Sequence, residues 1–135
     1  MKNDVDFYRE GKSRRGWRWR VRSRNGEILG TSTEGYSRRS GAARNAESLL
    51  RYATTEKIQA ASSEVARRHE GRKGLVFYRD AAGDVRWRIV ATNGKIVHAS
   101  SEGFSSVTKA RKNLQVLVET LGISISWSKT TGGRR

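Results

Sequence analysis

The sequence contains no cysteine and only two histidines, His69 and His98. Without thiols there is neither a disulfide framework nor a thiolate metal site, and the chain suits a reducing compartment. The two histidines stand in unrelated contexts with no metal-ligand spacing around them, so no metal site is expected. No run of residues is apolar enough to span a bilayer, and residues 1–6 offer no stretch of signal-peptide length; the expected location is the cytoplasm. Catalytic patterns are missing too. There is no Ser-His-Asp arrangement, no Gly-x-Ser-x-Gly elbow and no Gly-rich phosphate loop, and Thr131-Gly132-Gly133-Arg134-Arg135 is too short and too terminal to replace one. The expectation is a protein without enzymatic activity, cofactor or metal.

Acidic residues are scarce as well. Thirteen Asp and Glu face 28 Lys and Arg, a formal net charge of +15 in 135 residues. Such an excess favours polyanions, because each phosphate neutralised by a cation releases bound counterions. With no membrane segment, the partners to expect are nucleic acid, DNA or RNA, or an acidic protein.

A large part of the chain is written twice. Residues 7–50 and 77–118 carry the same features in the same order. The first copy reads Phe7-Tyr8-Arg9, Arg18-Trp19-Arg20, Asn25-Gly26 and Glu34-Gly35-Tyr36-Ser37. The second reads Phe77-Tyr78-Arg79, Arg86-Trp87-Arg88, Asn93-Gly94 and Glu102-Gly103-Phe104-Ser105. Internal duplication constrains architecture before any other pattern does. Here it predicts one compact domain of two similar halves: residues 5–61 as the first repeat, 62–74 as a linker, 75–128 as the second repeat and 129–135 as a flexible tail.

Each copy opens on a stretch rich in aromatic and β-branched residues, 5–9 or 75–79, which reads as a strand. The turn that follows differs. It is Ala81-Ala82-Gly83-Asp84 in the second copy and the longer, basic Gly11-Lys12-Ser13-Arg14-Arg15-Gly16 in the first. Next, Trp17, Trp19 and Val21 alternate with Arg18, Arg20 and Arg22 at the period of a pleated strand, one face apolar and the other cationic. Residues 86–90 repeat the pattern more mildly. Asn25-Gly26 and Asn93-Gly94 then predict type I′ hairpin turns, which lead into third strands at 27–31 and 95–100.

Ser37, or Ser105 and Ser106, offer helix caps, and the runs beyond them are periodic. Ala42, Ala46, Leu49, Leu50 and Ala53 form one apolar stripe; Val107, Ala110, Leu114, Leu117 and Leu121 form the other. After the helices, Ile123-Ser124-Ile125-Ser126-Trp127 alternates as a strand. Residues 57–60 are the corresponding strand candidate in the first copy, and residues 64–68 suggest a helical connector.

In order and spacing these motifs resemble the YegP-like family, small proteins of unknown function that often occur as tandem repeats. The resemblance implies an α+β fold in which a β-β-β-α-β unit is used twice. The two halves would join in one antiparallel sheet, with exchanged C-terminal strands and the helices on one face. It implies no catalytic residue and no cofactor, and exchange within one chain implies a monomer. The net charge here exceeds what the family pattern requires.

Between Gly11 and Arg24 stand seven basic residues, Lys12, Arg14, Arg15, Arg18, Arg20, Arg22 and Arg24, and no acidic one. If the tryptophans face the core, the strand arginines stand on the open face, joined by Arg86 and Arg88 and by Tyr8 and Tyr78. A cationic sheet carrying aromatic rings suits nucleic acid, with arginines on phosphates and rings on bases. The competing account is that Arg18, Arg20, Arg86 and Arg88 pair with Glu34, Glu102 or other acids. Lys12, Arg14, Arg15, Arg22 and Arg24 have largely uncharged counterparts in the second copy, so the fold does not demand them. Trp17, Trp19 and Trp87 read as core. Glu34 and Glu102 recur next to glycine at a strand-to-helix turn, where structure accounts for both residues. The leading expectation is nucleic-acid binding through the cationic sheet face and basic loop, and the alternative is a protein-interaction module for an acidic partner.

Overall fold

The computed structural model describes residues 3–61, 66–67 and 72–130, with backbone alone at 66–67 and 126–130. Its elements in chain order are β1 (Asp4–Arg9), β2 (Trp17–Arg22), β3 (Ile28–Thr31), α1 (Arg39–Tyr52), α2 (Thr55–Ala60), β4 (Ala66–Arg67), β5 (Gly74–Arg79), β6 (Val85–Val90), β7 (Ile96–Ala99) and α3 (Val107–Thr130). The fold is α+β. Among the described residues the strands fall into two sheets, β1-β2-β3 and β4-β5-β6-β7, where a single shared sheet was expected. In each, three strands run antiparallel; β4 adds two residues in parallel to the edge of β5.

The chain divides into two compact units. Unit 1 holds the residues up to Arg51 and those from Val116 onward, and unit 2 holds Tyr52–Gln115. In unit 1 the register sets Phe7 opposite Trp19 and Val5 opposite Val21, so strand alternation turns these four to the same face. Trp19 and Val21 are buried there with Ala42, Ala46 and Leu49 of α1 and Leu117 and Leu121 of α3. Gly30 of β3 admits Leu117, since a Cβ at that glycine would fall 2.7 Å from the leucine Cδ2. Asn3 Nδ2 donates to Thr120 Oγ1 at 3.2 Å.

Unit 2 repeats the register, with Phe77 opposite Trp87 and Leu75 opposite Ile89. Its core buries Trp87 and Ile89 with Ala110 and Leu114 of α3 and Ile58 of α2. Arg111 of α3 donates to the carbonyls of Ile58 and Ala61, the latter at 3.2 Å, and lies 5.1 Å over the Phe77 ring. His98 is also buried here, edge-on to Tyr52 with ring centroids 6.3 Å apart. Burial pushes its imidazole from the ordinary 6.5 down to about 4.

Several expectations are corrected. Residues 123–127, predicted as the final strand, continue α3, and 57–60 lie in α2. Their alternation is real but short, and the stripe Leu117, Leu121 and Ile125 satisfies the helical period equally well; short apolar runs leave this choice to context. What passes from one copy to the other unit is therefore helical: α2 belongs to unit 2 and the end of α3 to unit 1. Thr54 starts α2, its hydroxyl accepting from Lys57 N at 3.2 Å. In place of a helical connector at 64–68, residues 66–67 form β4; the other three, like most of the 62–74 linker, His69 and the 131–135 end of the tail, lie outside the described residues. Residues 129 and 130 of the expected tail lie in α3.

The Asn-Gly turns are a further correction. Gly26 and Gly94 have φ of 91° and 87°, but among the described residues no other residue type has positive φ, so type I′ is excluded. Gly26 N donates to Ser23 O at 2.9 Å and Ser23 N to Glu27 O at 2.8 Å, a three-residue loop with the glycine in the left-handed position. Residues 91–95 repeat it. The asparagines stay right-handed because their side chains are engaged locally: Asn25 Oδ1 accepts from Glu27 N at 3.2 Å, and Asn93 Oδ1 from Lys95 N at 2.9 Å.

Candidate functional site

The cationic row of β2 faces its own acids. Register sets Asp6 opposite Arg20 and Asp4 opposite Arg22. Arg20 Nε donates to Asp6 Oδ2 at 3.2 Å, and Arg22 Nε lies 3.0 Å from the same oxygen. Arg18 Nε reaches Glu10 Oε1 at 3.0 Å. The partners are thus Asp6 and Glu10; Glu34 and Glu102 are exposed and in no ion pair among the described residues. The Arg18, Arg20 and Arg22 side chains keep 29%, 35% and 42% of their surface in water. Ion pairs of that exposure contribute about 0–1 kcal/mol each, so exchanging a carboxylate for a phosphate costs little.

The tyrosines stand on this face as expected, and each has one ring face covered. The Arg20 guanidinium sits 4.4 Å over Tyr8, and that of Arg88 sits 4.6 Å over Tyr78. Arg88 is only 5% exposed, which removes it from any accessible surface of unit 2. Arg86 is bound to Asp80, its Nε 2.7 Å from Oδ2.

Lys12, Arg14 and Arg15 are exposed and enter no ion pair among the described residues. Their loop is nevertheless well tied. Glu10 N donates to Gly16 O at 2.7 Å, Arg9 Nη2 to Ser13 O at 2.8 Å, and Arg15 N to Ser13 Oγ at 3.1 Å. Gly35 packs against the loop so closely that a Cβ there would lie 1.9 Å from the Arg15 carbonyl oxygen. The next residue, Tyr36, exchanges both backbone hydrogen bonds with Trp17, at 2.9 and 2.8 Å. Burial, and then the Glu34 carboxylate, raise the Tyr36 phenol above its ordinary value and keep it neutral. This contact brings residues 38 and 39 to the same end of the unit as the loop, adding two exposed arginines.

Arg24 belongs elsewhere. It is exposed in the β2–β3 turn, and the six residues of β2 separate it from the loop by about 20 Å. The seven cations between residues 11 and 24 thus divide into a loop cluster, a strand row paired with acids, and Arg24 at the far end.

Sequence reading missed Asn45 and Asn113. Trp19 Nε1 donates to Asn45 Oδ1 at 2.7 Å and Trp87 Nε1 to Asn113 Oδ1 at 2.9 Å, so each buried indole N–H has an acceptor on a helix. Ser32 and Ser100 are a second pair, their hydroxyls accepting from the Trp19 and Trp87 amides at 3.4 and 3.3 Å. The signal was available: both pairs recur at one offset between the copies. Trp17 departs from its core assignment and is only half-buried.

The chain belongs to the family defined by a domain of unknown function, DUF1508, whose model matches residues 13–59 and 80–115. This is the YegP-like family to which the motifs point. No curated protein sequence matches the chain. Among solved structures, a UPF0339 protein from Shewanella oneidensis is similar over 90% of this chain and 86% of its own, at 19% identity and a TM-score of 0.55. The E. coli protein yegP, of unknown function, is similar over 78% and 75%, at 16% identity and a TM-score of 0.48. The Shewanella likeness is one of fold. Among the described residues no helix is long and apolar enough to cross a membrane.

Proposed function

We propose that this protein is a non-enzymatic nucleic-acid-binding module, built from two tandem copies of one unit, whose primary contact is the basic loop of the first copy. One observation carries the reading: Lys12, Arg14 and Arg15 project from a well-tied loop with no acidic partner among the described residues, beside the exposed Arg38 and Arg39. A tied loop holds its cations in place before binding, which lowers the ordering cost of each phosphate contact. Arg18, Arg20 and Arg22 supply a second row that releases Asp6 and Glu10 when phosphate arrives. The working form is a cytoplasmic monomer.

The test is fluorescence anisotropy with labelled DNA and RNA at two salt concentrations. Affinity should fall steeply with salt, each phosphate contact contributing about 0.7–0.9 to the logarithmic slope. Reversing Lys12, Arg14 and Arg15 to Glu should lower that slope by about 2–3 and weaken binding at least a hundredfold. No binding at low salt refutes the reading.

A second reading, interaction with an acidic protein, draws on the exposure of Ile28 (37%) and Ile96 (44%), which open the edge strands β3 and β7. Co-purification after nuclease treatment separates the two, since a protein partner survives digestion.

A further inference from the structure

We propose that Trp17 is the base-stacking residue of the basic loop and that the loop's ligand is therefore single-stranded nucleic acid. This rests on the nucleic-acid reading above and narrows it to one ligand class.

Trp17 opens β2 directly after the loop and lies on the same strand face as Trp19. The two indoles have different surroundings. Trp19 is 1% exposed and its Nε1 is bonded to Asn45, whereas Trp17 is half-buried and its Nε1 has no acceptor among the described residues. The second copy shows what packing at this position requires. Val85 occupies it in β6, makes the same backbone bridge, to Phe104, and is 0% exposed. A valine thus fills the place completely, and an indole there carries ring surface beyond what that packing takes up. In the second copy a small β-branched residue suffices at this position, and the excess of Trp17 stands beside the loop that carries Lys12, Arg14 and Arg15.

Other rings are already engaged. Tyr8 lies beneath Arg20, Phe7 has the Arg39 guanidinium 4.6 Å over its ring, and Trp19 is buried. A partly exposed indole next to cations that enter no ion pair among the described residues combines the two elements of single-strand recognition, a ring for an unstacked base and charges for the adjoining phosphates. A duplex keeps its bases stacked and offers the loop phosphates alone.

The experiment compares wild type, Trp17→Val and Trp17→Phe for binding a labelled oligothymidylate and a duplex of equal length, with thermal midpoints measured alongside. Trp17→Val borrows the second copy's own residue, so the fold should tolerate it. The expected result is an oligothymidylate affinity lowered about five- to 150-fold, from a stacking contribution of about 1–3 kcal/mol, with duplex affinity and salt slope unchanged. Trp17→Phe should recover most of the loss. In the wild type, oligothymidylate should quench tryptophan fluorescence and the duplex should not, a readout that holds even if a variant folds poorly. Intact binding that Trp17→Val leaves unaltered, or equal loss on both ligands, overturns this inference alone. Absence of binding by the wild type overturns it together with the nucleic-acid reading.

Discussion

The β1–β2 and β5–β6 connections occupy the same place in two similar sheets and are built on opposite chemistry. In β5–β6, Asp80 organises the turn. Its Oδ1 accepts from the amides of Ala82 and Asp84 at 2.9 Å each, and its Oδ2 accepts from Arg86 Nε at 2.7 Å. The Arg86 guanidinium, foremost, holds this carboxyl below the usual carboxylate range. In β1–β2, Glu10 stands where Asp80 does and lends its carboxylate to Arg18, while backbone and Ser13 contacts close a loop two residues longer. One connection uses its acid to close a short turn. The other leaves three cations in no ion pair among the described residues. A fold that requires only the first arrangement has, in the second, charge it does not use for itself.

Replacing the 10–16 loop by the 80–84 turn tests that contrast most directly. Grafting should abolish nucleic-acid binding, a loss of a hundredfold or more by anisotropy, with little change in thermal midpoint. Retained binding by the graft would break the comparison, since the cations would then be incidental.

Next in size is the glycine that seats each connection. A Cβ at Gly35 meets backbone, 1.9 Å from the Arg15 oxygen, whereas at Gly103 it meets the Asp84 side chain at 2.5 Å. Neither the Asp84 Cβ nor the Arg15 carbonyl moves on side-chain rotation, so the difference lies in depth: the overlap at Gly35 is the deeper of the two. Gly35→Ala should cost about 3 kcal/mol or more by urea unfolding and Gly103→Ala about 1–2 kcal/mol. Equal costs would mean that the first loop is as adaptable as the second turn.

A third difference concerns pH and belongs to unit 2. His98 has a folded pKa of about 4 against 6.5 in the ordinary state, so the unfolded chain takes up the proton first. The stabilisation from keeping it neutral is complete above pH 6.5, declines as pH falls from 6.5 to about 4, and changes no further below that. The loss is up to about 3 kcal/mol. Denaturant midpoints at pH 7.5 and 4.5 should differ in the wild type and converge in His98→Phe; a wild-type curve flat across that window would refute it.

The last expected effect should be alike in the two units. Asn45→Leu and Asn113→Leu each remove the acceptor of a buried indole N–H and should cost about 1–3 kcal/mol. A marked inequality, read in chemical unfolding, would show that the two indole–amide pairs are not equivalent supports.

Much of this architecture was legible in the residues. The alternation of Trp17, Trp19 and Val21 with arginines located β2, the Asn-Gly pairs located both hairpins, and the spacing of Ala42, Ala46 and Leu49 located α1, because these patterns repeat over enough residues to separate period 2 from period 3.6. Turn type was not legible, since Asn supports either hand and its choice follows from which amide its side chain reaches. Nor were the ends of the repeats. Five alternating residues at 123–127 carry too little information against a helix already running, and Thr54 restarts a helix in one copy at the place where α3 of the other passes through Gly122 unbroken.

The duplication, the excess positive charge and its concentration between residues 11 and 24 follow from the sequence alone, because composition and order need no folding to be read. Tertiary structure decided which of those charges remain available. Pairing across strands gave Arg18, Arg20 and Arg22 carboxylate neighbours, packing buried Arg88, and the length of β2 carried Arg24 away from the loop. It also separated Trp17 from Trp19, which strand period places on one face, because burial depends on what packs above each residue, and period does not encode that.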